Sequence, residues 1–338
     1  MSLVSIVKCE EGQIDKAVNE AIDLVDGLEN IGSKTGISIK PNLCTTKSSD
    51  SGTTTDLRVI EALIKRIRLI TSCGVSVVET NNSKASADRT FDYLGYSSIA
   101  QKYDNVSCVN LSNDSRVRVD IDGEIFSNLL VPQSMIFSDY LVSVAKLKTH
   151  VDYLYTGVLK NQFGFLLRQR SQYHGFMSKV ITDLNKFYRP DLCIIDGLVG
   201  MEGFGPADGR PKHVGIIIAS RDPVAADSVA ARVIGIDPSK IGYLRYAEKK
   251  GIGTSQCRVV GSSVAEVATS FSFIPTRYYC LSKLSLALQR YSRYVRNCAE
   301  LVSLARSALS TVGFSAIESR MSYSGIIKLA ANVIFKLE

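Results

Sequence analysis

Apolar and polar positions switch between two periods along the first two thirds of this chain. Residues 4–7 alternate as a strand, and residues 14–28 place Ile14, Ala17, Ala21, Leu24 and Val25 on one helical face. Residues 36–40 read as a second strand that ends at Pro41-Asn42-Leu43, followed by a polar loop over 45–55. Asp56 is placed to cap a helix to about residue 72, Gly74 to stop it, and 75–79 to form the next strand. Strand, helix, strand at this spacing predicts βαβ units and a largely parallel sheet.

The middle is richer in strands, at 106–111, 117–121, 125–131 and 140–144, with Ile121-Asp122-Gly123-Glu124 reading as a hairpin turn. A helix over 175–187, a buried strand at 192–195 and a strand at 214–219 follow. Residues 223–234 read as a helix with Asp222 at its N-cap and Pro223 at its first position. Beyond about residue 265 the pattern becomes basic and helical, over 276–308 and 324–337. The expected architecture is α/β: a mostly parallel sheet with flanking helices, an inserted antiparallel hairpin region and a C-terminal helical appendage. The expected division is 1–264 for the α/β domain, with its site-bearing part at about 140–235, and 265–338 for the appendage.

Composition bounds the function. The chain has 338 residues, 45% hydrophobic and 22% charged, as in an ordinary globular protein. Of its net charge of +7, residues 271–338 carry +6, from nine Lys/Arg against three Asp/Glu. The rest is close to neutral, which argues against nucleic acid as a partner. In the tail, Arg290, Arg293 and Arg296 recur beside Tyr291 and Tyr294, and 325–337 is amphipathic. Such a helix packs on the main domain, docks a protein partner or lies on a membrane surface. The N-terminus shows no signal-peptide pattern and no apolar run approaches the roughly 20 residues of a span. The expected location is cytoplasmic, with contact peripheral to the membrane left open. The eight cysteines, Cys9, Cys44, Cys73, Cys108, Cys193, Cys257, Cys280 and Cys298, contain no C-x-x-C pair. That spacing argues against a zinc ribbon or an iron–sulfur cluster and reads as reduced small hydrophobes.

Polar and glycine residues crowd the ends of apolar strands between residues 147 and 227, which a core does not require. Lys40-Pro41-Asn42 leaves a strand at the carboxyl edge of the sheet, where α/β proteins bind ligands, so Lys40 and Asn42 are candidate anion contacts. Lys146-Leu147-Lys148-Thr149-His150 follows another apolar strand and offers ammonium groups, a hydroxyl and an imidazole. Lys148 and Thr149 would bind substrate, and His150 would move a proton. Thr156-Gly157 and Lys160-Asn161-Gln162-Phe163-Gly164 read as a helix entry, with Lys160 an anchor, base or Schiff-base amine and Asn161 a substrate contact. His174 is a second candidate acid or base. The run from Gly200 to Gly209 lacks the helix of a dinucleotide fingerprint and the Gly-Lys-Ser/Thr of a P-loop. It reads as a flexible lid or amide nest, with Gly203 and Gly205 touching substrate. Asp196 and Glu202 are the candidate ligands for a divalent metal. Asp227, one turn inside its helix, is a candidate catalytic carboxylate.

As an ordered set over residues 1–262 these motifs resemble the DUF362 family of uncharacterised proteins. The matching elements are Lys40-Pro41-Asn42, Leu147-Lys148-Thr149-His150, Thr156-Gly157 with Lys160-Asn161 and Gly164, and Tyr173-His174. Asp196-Gly197, Met201-Glu202-Gly203, Gly205-Pro206 and Asp222-Pro223-Val224-Ala225-Ala226-Asp227 complete the set. The resemblance implies little chemistry, although some members carry a ferredoxin-like segment with iron–sulfur cysteines. This chain lacks the C-x-x-C-x-x-C run, and a basic tail stands in that position. The expected function is an enzyme acting on a small phosphate or carboxylate compound, its cofactor unknown. The alternatives are a redox or iron–sulfur-related accessory protein and a scaffold that docks a partner or membrane through its tail.

Overall fold

A computed structural model describes residues 1–82, 85–167, 170–274 and 286. The helices expected over 276–308 and 324–337 lie outside the described residues. The chain divides into two units, residues 1–167 with 178–272, and residues 168–177 with 273–338. In the second unit, Arg170–Phe176 is a short 3-10 helix.

The strands are β1 (Ser2–Lys8), β2 (Gly36–Pro41), β3 (Gly74–Glu79), β4 (Val106–Asn110), β5 (Arg116–Asp120), β6 (Asn128–Pro132), β7 (Tyr140–His150), β8 (Leu154–Thr156), β9 (Leu192–Glu202), β10 (Arg210–Ser220) and β11 (Cys257–Gly261). The helices are α1 (Ile14–Asp23), α2 (Leu57–Arg68), α3 (Ala87–Tyr93), α4 (Tyr96–Lys102), α5 (Gln133–Ile136), α6 (Val158–Asn161), α7 (Met177–Phe187), α8 (Pro223–Val233), α9 (Gly242–Lys249) and α10 (Val264–Val267). Among the described residues one sheet runs in the order β11-β1-β10-β9-β7-β2-β3-β4, with β8 added beside β7. The run β9-β7-β2-β3-β4 is parallel, and β10 is antiparallel to both of its neighbours. The expected hairpin is present as an antiparallel pair, β5 with β6, in the register Val119↔Leu129. Its connection is longer than a tight turn because the Asp183 carboxylate accepts the Glu124, Ile125 and Phe126 amides and gives that loop its backbone partners.

Parallel strands need apolar cover, and the amphipathic helices supply it. Ile14, Val18 and Ile22 of α1 and Val59, Leu63 and Ile67 of α2 pack with Ile37, Ile39, Val142, Val144 and Ile194 of the sheet. The Asp56 side chain accepts the Arg58 amide at 2.9 Å and starts α2. Asp222 does the same for α8 through Val224 and Ala225, at 2.8 and 3.0 Å, with Pro223 in its first turn.

Two strands overrun their expected ends, and the reason is charge pairing inside the sheet. The strand expected at 140–144 continues to His150, so Lys146, Lys148, Thr149 and His150 lie within it and not on a loop beyond it. Lys146 stands opposite Asp196 on β9 and is ion-paired to it at 2.8 Å, so the strand carries a lysine through without an unpaired charge. The strand expected at 192–195 likewise runs to Glu202. Most of the glycine run is therefore hairpin: Glu202 pairs with Arg210, Met201 with Pro211 and Gly200 with Lys212. The expected flexible lid is corrected to the β9–β10 arm.

Candidate functional site

The carboxyl ends of β2, β3 and β7, the turn into α6 and the 42–55 loop converge on a group of polar side chains. Lys40, Lys146 and Lys148 are 1%, 0% and 0% exposed; Lys40 and Lys148 were expected to hold a substrate anion. Lysine is rarely buried without a partner. Lys40 Nζ donates to Glu79 Oε2 at 2.7 Å, and Lys146 has Asp196. Lys148 differs. Its Nζ donates to Asn42 Oδ1 at 2.6 Å and to the Thr53 carbonyl at 2.8 Å, and it lies 3.5 Å from Cys44 Sγ. None of those neighbours is a carboxylate. Burial pulls the Lys148 pKa below the ordinary lysine range; Cys44 works against that shift, and the Lys146 ammonium adds to it.

Asn42 is the hub of this network. Its Oδ1 takes the Lys148 ammonium while its Nδ2 donates to Asn161 Oδ1 at 3.2 Å. Asn161 Nδ2 in turn donates to the Lys40 carbonyl and to Ser143 Oγ, both at 3.1 Å. A second group forms around Tyr153. The His150 ring meets it edge-on at 4.9 Å between centroids. Lys160 Nζ lies 5.6 Å from the Tyr153 ring centre and 5.6 Å from that of Phe163, within cation–π range of both. His150 Nδ1 accepts the Asp152 amide at 3.0 Å, so in the neutral imidazole the proton is on Nε2. The Lys148–His150 and Lys160–Asn161 segments feed both groups.

The other candidates serve the frame of the site. The Asp227 carboxylate accepts the Val158 amide at 2.7 Å and the Leu159 amide at 3.0 Å, which starts the turn that presents Lys160 and Asn161. Burial pushes its pKa up to about 7, against those hydrogen bonds. Gly157 has to be glycine here, because a Cβ would fall 2.0 Å from Asp227 Oδ1. Thr149 Oγ1 donates to the Gly203 carbonyl at 3.0 Å, and a Cβ on Gly205 would lie 2.1 Å from the Thr149 carbonyl oxygen. Gly203 and Gly205 thus close the β9–β10 arm against β7, where substrate contact was the expectation.

Asp196 and Glu202, the expected metal ligands, each have protein partners where they stand. Asp196 Oδ2 holds Lys146 and the Asp56 amide. Glu202 holds Arg210, Lys212 and the Ser272 amide. Among the described residues no group of three His, Cys, Asp or Glu comes together in a metal-holding arrangement. Cys9, Cys44, Cys73, Cys108, Cys193 and Cys257 are free thiols, and Cys280 and Cys298 lie outside the described residues. His174 belongs to the second unit.

Residues 37–232 match the family model described as a domain of unknown function, DUF362. The chain belongs to the DUF362 family. A thylakoid-associated protein of Synechocystis sp. is 25% identical over 262 residues, covering 75% of this chain and 79% of that protein. The lactate racemase apoprotein from Thermoanaerobacterium thermosaccharolyticum superposes with a TM-score of 0.42 at 10% identity. That match covers 74% of this chain, which spans only 57% of the racemase chain. Among the described residues no helix is long and apolar enough to cross a membrane.

Three residues of this DUF362 site escape the reading of the sequence alone: Glu79, Cys44 and Tyr153. Glu79-Thr80-Asn81 ends an apolar parallel strand just as Lys40-Pro41-Asn42 does, and that shared position was the available signal. Cys44 carries no such mark and reads as a core residue.

Proposed function

We propose that this DUF362 chain is an enzyme that binds a small anionic compound, a phosphate or carboxylate, at the edge formed by Asn42, Cys44, Lys148, His150 and Lys160. The supporting observation is Lys148. Its amine is 0% exposed and its hydrogen-bonding neighbours are an amide oxygen, a carbonyl and a thiol, with no carboxylate. Burying an unbalanced ammonium costs several kcal/mol, and a ligand anion entering beside the half-buried Asn42 and Cys44 would balance it. Lys160 supplies a second cation. His150, with its Nε2 proton, is the group that gives or takes a proton. Lys40 is not an anchor in this reading, because Glu79 already takes its charge.

The test is thermal unfolding of the full chain in rising inorganic phosphate or acetate, for the wild type and Lys148→Met. Methionine fills the volume without the charge, so the variant is expected to fold. The wild type is expected to gain about 2.7 kcal/mol at a hundredfold excess over Kd, and Lys148→Met to gain nothing. An equal response in both proteins, or no response to either anion, refutes the proposal.

A second reading has one supporting observation, the thylakoid association in the relative's name. In it the basic region 271–338 holds the protein at an anionic membrane surface, and vesicle flotation tests it.

A further inference from the structure

The Cys44 thiol and the Lys148 amine, both on the proposed anion-binding edge, also stand close enough to react with each other. Cys44 follows Asn42 by two residues on the loop that covers β7, and its side chain is half-buried. Lys148 is fully buried beneath it. Sγ and Nζ stand 3.5 Å apart. Asn42 Oδ1 and the Thr53 carbonyl fix the amine in place, and Sγ itself lies 3.7 Å from the Thr53 carbonyl oxygen. Cys44 is thus partly exposed to solvent, and a lysine nitrogen stands beside its sulfur. An amine attacks only when it carries a free lone pair, and burial favours that uncharged form of Lys148 against the opposing pull of Cys44 itself.

We infer that Cys44 and Lys148 are a peroxide-responsive cross-linking site, in which oxidation joins Sγ to Nζ as a sulfenamide. In the first step Cys44 Sγ attacks one oxygen of hydrogen peroxide. The O–O bond breaks, the sulfur becomes a sulfenic acid and one water leaves. In the second step the Lys148 lone pair attacks that sulfur, the S–O bond breaks, and the departing hydroxide takes a proton from nitrogen as a second water. The sulfur loses two electrons and the peroxide gains them. An added thiol reverses the link by attacking sulfur, which releases the amine and leaves a disulfide. The bond ties the 42–55 loop to β7. If Lys148 is the anion anchor proposed above, it also removes that anchor, so oxidation closes the site.

The experiment treats the full chain with hydrogen peroxide, blocks the remaining thiols and maps proteolytic peptides by mass spectrometry. The expected product joins the Cys44 and Lys148 peptides, lighter than their sum by two hydrogens, about 2 Da. It should vanish on treatment with dithiothreitol and be missing from Cys44→Ser. If Cys44 instead accumulates as sulfinic or sulfonic acid, or stays reduced while Lys148 remains free, the inference fails. That readout needs only the wild type. Phosphate stabilisation of the reduced wild type separates the two ideas. A wild type that responds to phosphate but does not cross-link on oxidation sinks this inference alone. A wild type that cross-links but ignores phosphate and acetate sinks only the anion-binding reading.

Discussion

Asp227→Asn is the sharpest perturbation of the frame that presents Lys160 and Asn161. The carboxylate sits in α8, fully buried, with Oδ1 accepting from the Val158 amide and Oδ2 from the Leu159 amide. Asparagine keeps the volume but puts a nitrogen without lone pairs where one of those oxygens accepts. At pH 5 that leaves one buried amide unsatisfied, at a cost of about 1–3 kcal/mol. The pH dependence carries more information. Burial raises Asp227 to about 7 in the folded protein, whereas an unfolded aspartate titrates near 4. Between those values the folded state keeps a proton that the unfolded state has released, so Asp227 makes stability fall as pH rises. Between pH 5 and pH 7 the loss is about 2 kcal/mol, since the slope is 1.36 kcal/mol per unit and flattens near the folded pKa, and it is complete above that pKa. Asparagine has no such slope. Urea denaturation of both proteins from pH 5 to pH 8 should show the wild type well ahead at pH 5 and its advantage gone or reversed at pH 8. Two curves that stay parallel over that range would refute the assignment of the titration to Asp227.

Glu79→Gln should destabilise the protein by about 3–5 kcal/mol by removing the carboxylate that pairs with the buried Lys40 ammonium. In a denaturation cycle, Lys40→Met with Glu79→Leu should cost less than the sum of the two single changes, and additive costs would mean that the pair is not coupled. For the membrane reading, full-length protein should float with phosphatidylserine vesicles at low salt and release at high salt. Protein lacking 275–338, which keeps the Ser272 contacts with Glu202 and Gly203, should not float, and equal flotation of the two would reject the tail as the anchor.

The fold was legible where its determinants are local. β1, β2 and β3 fall within about two residues of their expected limits, because β-branched runs bounded by glycine or proline have few alternatives. The start of α8 was readable from Asp222-Pro223 alone, since a cap and a proline act within one turn. The reach of β7 and β9 was not legible. Lys146, Lys148 and Asp196 interrupt the apolar pattern, and the partner that lets Lys146 stay in the sheet is fifty residues away. Local pattern cannot register a charge cancelled from that distance. The same limit governs the site. Asn42 and Lys148 were legible as polar residues following apolar strands and Asn161 as part of a helix entry, and the three do form one network. Cys44 became relevant only once the 42–55 loop had folded back over β7.

The case for a ligand rests on a comparison internal to the molecule. Lys40, Lys146 and Lys148 stand within the same sheet and are equally withdrawn from water. A lysine kept only for packing or register gains from a carboxylate beside it, and the first two have one at 2.7 and 2.8 Å. The same fold therefore places acids against buried lysines where structure is all that is served. At Lys148 it places an amide, a carbonyl and a thiol, which hold a nitrogen in position without fixing its charge. Such an amine can balance an incoming anion as an ammonium or bond to an oxidised sulfur as a free amine, and a neighbouring carboxylate would disfavour the second. The departure from the pattern of the other two lysines, more than the burial itself, marks Lys148 as the residue on which chemistry at this edge turns.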